Sequence, residues 1–170
     1  MLLVLECVPI WTFPYFPSED GPSHVYNASV LAHYGVETIY QEYYRIVPTF
    51  AGNILSDLIL ASLLKLTQPL VAERVLLTSY LILAFASFRY LLQGLTRYAD
   101  QFSVFAGVLF SNWFLYVGLW NFCFSVALSL FTIGYYVRQR RTGGRWTARA
   151  LITLMICSVR RVSSILRHPA

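Results

Sequence analysis

Charged side chains are scarce in this sequence. Only 12% of its 170 residues carry one, while 57% are hydrophobic; ordinary soluble domains carry roughly 25% charged residues. A chain this apolar, with a mean hydropathy of +0.56, does not have the polar surface to enclose one water-soluble core. Cysteine is also scarce. Cys7, Cys123 and Cys157 are far apart in apolar stretches. An odd number without a Cys-x-x-Cys or Cys/His spacing excludes a zinc module and a disulfide framework, and buried apolar side chains are the plain reading. No P-loop, Gly-x-Gly-x-x-Gly, Gly-x-Ser-x-Gly or His-Glu-x-x-His motif occurs, which removes the common signatures of nucleotide, dinucleotide, serine-hydrolase and zinc-protease chemistry. No repeat or low-complexity tract is present either. Acids stop at Asp100, whereas eight of the thirteen basic residues follow it, all arginines from Arg138 onward. In an apolar chain such a block reads as a flank facing the cytoplasm and anionic lipid rather than a nucleic-acid patch.

What the chain does have is long apolar runs, such as Val75 to Ala86. About 20 mostly apolar residues cross a bilayer as a helix, and helices satisfy every backbone polar group internally. The alternating segments of about 10 residues expected of a membrane barrel are missing. The fold class expected is therefore all-α: a polytopic transmembrane helical bundle with interfacial helices in its first loop. Residues 1–137 form the transmembrane region and 138–170 a basic juxtamembrane tail, in which Ala150 to Val159 reads as an interfacial helix. The opening stretch, Met1 to Pro17, has neither the basic start nor the cleavage site of a signal peptide. It reads as the outer half of a span, as in a truncated protein.

Polar residues concentrate in 18–51. Ser18 and Asp20 precede a helical pattern from about Pro22, a residue tolerated at helix starts, and a second helix covers Glu37 to Tyr44. Tyr40, Tyr43 and Tyr44 suit a membrane–water boundary. Ile54 to Leu66 and Leu70 to Leu92, separated by Thr67-Gln-Pro69, read as a helical hairpin with a short first arm. The stretch 102–137 reads as two short helices, or as one crossing with a re-entrant piece. If 54–66, 70–92, 102–117 and 120–137 each cross once, the acidic first loop and the arginines share a side. If 102–137 crosses once, they lie on opposite sides. The second arrangement is expected, for the reason given with the resemblance below.

Several side chains are candidates for chemistry. Adjacent carboxylates such as Glu19 and Asp20 can hold a divalent cation, and one of them, partly desolvated, can act as a general base. Asp20 also stands where a helix N-cap would, with His24 one turn on. His33 and Glu37 repeat that spacing as a weak metal signal. Arg45, among tyrosines, can meet a lipid phosphate or anchor at the interface. Asp57 and Arg89 lie inside apolar helices, where charge is expensive and faces protein or water. They are expected to pair across the hairpin, with an Asp57/Arg89 transport site as the alternative. Lys65 and the Glu73-Arg74 pair are expected to snorkel to water at the hairpin turn. Asn112 and Asn121 flank an aromatic block and can bond between helices. Asn27-Ala-Ser29 is a formal glycosylation sequon.

Together, Glu19-Asp20-Gly-Pro-Ser-His-Val-Tyr-Asn27, Pro69-Leu-Val-Ala-Glu-Arg74 and the Asn112–Asn121 aromatic block resemble the N-terminal part of bacterial polytopic membrane proteins of the GT-C glycosyltransferase type. The resemblance covers about residues 1–137. It implies a catalytic Asp in the first exterior loop, which falls on Asp20 with Glu19 beside it, and a polyprenyl-phosphate sugar as donor; His24 and Arg45 are the residues expected to contact substrate or lipid phosphate. It places the acidic loop outside a bacterial inner membrane and leaves a divalent cation as an open cofactor. GT-C enzymes have more spans than this chain, so a truncated relative is expected, with a non-catalytic membrane subunit or a small transporter component as alternatives.

Overall fold

A computed structural model of the chain describes residues 2–46 and 54–142. All regular structure among them is helical: α1 Leu2–Thr12, α2 Gly21–His33, α3 Thr38–Tyr43, α4 Leu55–Leu64, α5 Pro69–Leu95, α6 Ala99–Phe102, α7 Ala106–Phe110, α8 Trp113–Val117 and α9 Trp120–Thr142, with a 3-10 turn at Ser103–Phe105. Prolines mark two of the starts. Pro22 stands in the first turn of α2 and Pro69 in that of α5, where a missing N–H costs nothing. α9 runs on through Arg138 to Thr142. The tail from 143, including the helix expected at 150–159, lies outside the described residues.

α5 and α9 are long and apolar enough to cross a membrane. They pack side by side and run in the same direction. Tyr80 meets Phe124 at 5.6 Å and Tyr90 stacks on Phe131 at 5.0 Å, so positions along both helices rise together. Gly134 makes the closest approach: a Cβ there would come within 3.1 Å of the Leu91 backbone. Gly94 faces Val137 and the Gly134 carbonyl on the same seam. Small residues let two helix backbones come together where lipid offers no competing hydrophobic drive.

Parallel neighbours need a return connection, and Ala99 to Val117 supplies it. It runs against α5 in the opposite sense. Arg89 Nε donates to Asp100 at 2.7 Å, Phe88 meets Phe110 edge-on at 5.8 Å, and the Tyr80 hydroxyl donates to the Phe110 carbonyl at 3.1 Å. At about 1.5 Å per helical residue this 99–117 stretch covers close to the roughly 30 Å of a bilayer core. It is broken between α7 and α8, and side chains take over the backbone bonding there. Asn112 Oδ1 accepts from the Phe114 N–H at 3.0 Å, its amide donates back to the Leu109 carbonyl at 2.7 Å, and the Ser111 hydroxyl donates to the Glu6 carboxylate on α1. Asn112 is thus a local cap rather than a bridge between helices. Asn121 is the bridge: its Oδ1 accepts the Ser56 backbone N–H at 2.8 Å, tying α9 to α4.

α4, with 10 residues, is too short to cross. It pairs with the first part of α5 and with α2. α1 lies along α5 from the other side, held by Trp11 Nε1 donating to Thr78 Oγ1 at 3.0 Å and by Arg74 donating to the Phe13 and Pro14 carbonyls. The core runs between these helices through Leu60, Leu76, Leu77, Leu81, Trp120 and Ala127. Outside it, large apolar side chains stay uncovered along α1, the return segment and α9. Val4 is 67% exposed, Val108 80% and Trp113 74%.

Candidate functional site

The acidic pair sits where α5 and α9 begin. Its backbone is fixed by the turn that precedes α9: the Glu19 N–H donates to the Tyr116 carbonyl at 2.9 Å and the Asp20 N–H to the Val117 carbonyl at 3.0 Å. Gly118 makes this contact possible. Its φ is +95°, a left-handed conformation that costs other residues roughly 1–2 kcal/mol. A Cβ there would also lie 2.8 Å from Asp20 Cβ. α2 then starts at Gly21. Asp20 occupies the N-cap position, but its side chain accepts no capping bond; both it and Glu19 are exposed.

One turn into α2, His24 meets Asp57 at the start of α4. Nδ1 donates to Asp57 Oδ1 at 2.8 Å, and the ring stacks on Trp120 with centroids 5.2 Å apart. The hydrogen bond to Asp57 raises the His24 pKa above the ordinary 6.5; burial opposes this, while the Asp57 charge, the Gly118 carbonyl facing the ring, and the Asp20 charge reinforce it.

The Asp57–Arg89 pair expected from the sequence does not form. Because α4 spans only the first part of α5, Asp57 stays at the acidic end, while Arg89 lies at the other and pairs with Asp100. Glu73 is also corrected. It does not reach water at the hairpin turn but is 8% exposed, with Oε1 at 3.2 Å from where a Gly21 Cβ would stand, beside Trp120. Its partner in the sequence, Arg74, lies over Trp11. Arg45 is exposed, following α3, and His33 turns back to donate to the Ser29 carbonyl at 3.0 Å instead of joining Glu37. Asp20, His24 and Asp57 are thus brought together, while Arg45 and Arg89 are not. No three His, Cys, Asp or Glu side chains among the described residues converge as a metal site.

Around this cluster several buried polar atoms have no hydrogen-bond partner among the described residues: Ser18 Oγ, Ser56 Oγ, Trp120 Nε1 and Asn121 Nδ2. Buried polar groups are rarely left so, and their concentration marks this end of the helices as chemically different from the rest. The sequence marked Glu73 only as one of a pair snorkelling to water, and Trp120 only as part of the Asn112–Asn121 aromatic block. A helical stripe was the available signal for Glu73, since 73, 77, 80, 84 and 87 share one face, and all five are buried.

No known family, curated protein or solved structure matches the chain. Its chemistry has to be read from the side chains at this end.

Proposed function

We propose that the chain is embedded in a membrane, crossed by α5, the return segment and α9, and that its acidic end serves sugar transfer of the GT-C type. The uncovered apolar side chains support embedding, since soluble monomers rarely leave contiguous apolar patches beyond a few hundred Å². Arg97, Arg138 and Arg140 stand at the far end from Glu19 and Asp20. The excess of arginine on cytoplasmic flanks puts that end inside a bacterial inner membrane and the acidic end outside, where a polyprenyl-phosphate sugar presents its headgroup.

Asp20 is the base, or the ligand of a divalent cation, that activates the acceptor hydroxyl, with Glu19 beside it. The observation that carries this reading is the placement of its carboxylate: at a helix N-terminus, exposed, not used as a cap, on a backbone held by the Gly118 turn. A base must be both free and fixed to take a proton. A transport reading loses support, because Asp57 and Arg89 belong to different pairs.

Membranes from cells producing the chain, supplied with a radiolabelled polyprenyl-phosphate sugar, test the proposal. Asp20→Asn is expected to lower transfer by about a hundredfold or more, while Glu37→Gln, at an exposed position outside the cluster, leaves it intact. No transfer by the unmodified chain, or equal transfer by Asp20→Asn, contradicts the enzymatic reading and leaves a non-catalytic membrane subunit.

A further inference from the structure

Three features at the acidic end point the same way. Asp57 holds one side of the His24 ring at 2.8 Å, the Gly118 carbonyl faces the ring as a further acceptor, and Trp120 covers one ring face at 5.2 Å. The ring therefore has little freedom to rotate. Trp120 closes the turn before α9 by donating its backbone N–H to the Gly118 carbonyl at 2.7 Å, and that turn also fixes Asp20. The Gly118 turn accepts the Asp20 N–H through Val117, and the Asp20 carbonyl accepts the His24 N–H at 3.1 Å.

We propose that Asp57 and His24 form a positioning pair for Asp20, in which Asp57 orients the His24 ring, the ring packs on Trp120, whose backbone N–H closes the Gly118 turn, and the turn fixes the backbone that carries the Asp20 carboxylate. The inference deepens the sugar-transfer reading of this end and rests on it for its catalytic consequence. The pair touches no substrate itself. The charged groups facing the ring are Asp57 from α4 and Asp20 from the loop before α2; Glu73 of α5 lies beyond Trp120. A misplacement of the order of 1 Å in a reacting group costs about a hundredfold in rate, so a brace acting on the carboxylate through the Asp20 backbone has a kinetic effect without altering the site's chemistry.

Two readouts separate the pair from the reaction. In the full chain in detergent, with histidine rings isotopically labelled, the His24 resonance is expected to titrate above 6.5 and to move down in Asp57→Asn. An unmoved titration overturns the pairing whatever the activity. In membranes supplied with the labelled polyprenyl-phosphate sugar, Asp57→Asn is expected to lower kcat by roughly ten- to a hundredfold at unchanged KM, with partial recovery in Asp57→Glu. Unchanged kcat in Asp57→Asn, where Asp20→Asn abolishes transfer, overturns the positioning role alone. Equal transfer in both variants overturns that role together with the sugar-transfer reading, while a shifted titration would still uphold the pair. Should Asp57→Asn fail to accumulate, His24→Gln carries the kinetic test.

Discussion

His24 is the residue on which the acidic end depends most, since it joins α2 to α4 through Asp57 and to α9 through Trp120. Its raised pKa has a consequence for stability. A histidine held above its unfolded value contributes stabilisation that is complete below the unfolded pKa and is lost as pH rises through the folded one. Thermal unfolding in detergent is therefore expected to fall as pH increases from about 6.5 upward, and Asp57→Asn is expected to flatten that slope. A wild-type profile that rises over the same interval contradicts the pairing. None of this was legible in the spacing of residues, because His24 and Asp57 lie thirty-three positions apart and meet only through the docking of α2 on α4. The Asp20–His24 relation was legible, being one helical turn. Glu73 was misread because its neighbour Arg74 suggested a solvated pair, whereas helix phase sends the two side chains to different surroundings: Glu73 to the core and Arg74 to the Phe13 and Pro14 carbonyls just after α1.

At the scale of elements, the parallel packing of α5 and α9 decides the arrangement, and it depends on Gly134. A side chain there meets Tyr90 and the Leu91 backbone at about 3 Å. Backbone cannot yield as a flexible side chain can, so Gly134→Leu is expected to cost at least the roughly 1–3 kcal/mol typical of overpacking. Gly35→Ala, with nothing within 4 Å of the added Cβ, is expected to leave stability nearly unchanged. Thermal melts of both variants in one detergent check the contrast; equal melts mean that the crossing is not at Gly134. Helix starts were well marked in the sequence: Pro22 and Pro69 fall at the beginnings of α2 and α5, and Thr67-Gln-Pro69 breaks the hairpin. The direction of α9 relative to α5 was not marked, because the stretch 102–137 allowed both two passes and one. Asn112 decides it. Its side chain serves the backbone on both sides of the break, so a short-helix return survives in apolar surroundings where unsatisfied groups are costly.

For the whole molecule, Arg138 and Arg140 and the acidic pair lie at opposite ends of α9. Sequence reasoning also favours that separation, but the route differs. The hairpin's first arm, α4, is too short to cross, and under the proposed embedding the return segment takes its place, so the balance of crossings comes out the same. The account's central claim is this polarity, with Glu19 and Asp20 outside and the Arg138–Arg140 end inside. Cysteine accessibility tests it most directly. In a chain with Cys7, Cys123 and Cys157 replaced by alanine, a membrane-impermeant maleimide is applied to intact cells producing either Glu19→Cys or Arg140→Cys. The account predicts labelling of Glu19→Cys in intact cells and of Arg140→Cys only after permeabilisation; labelling of both from the same side contradicts it.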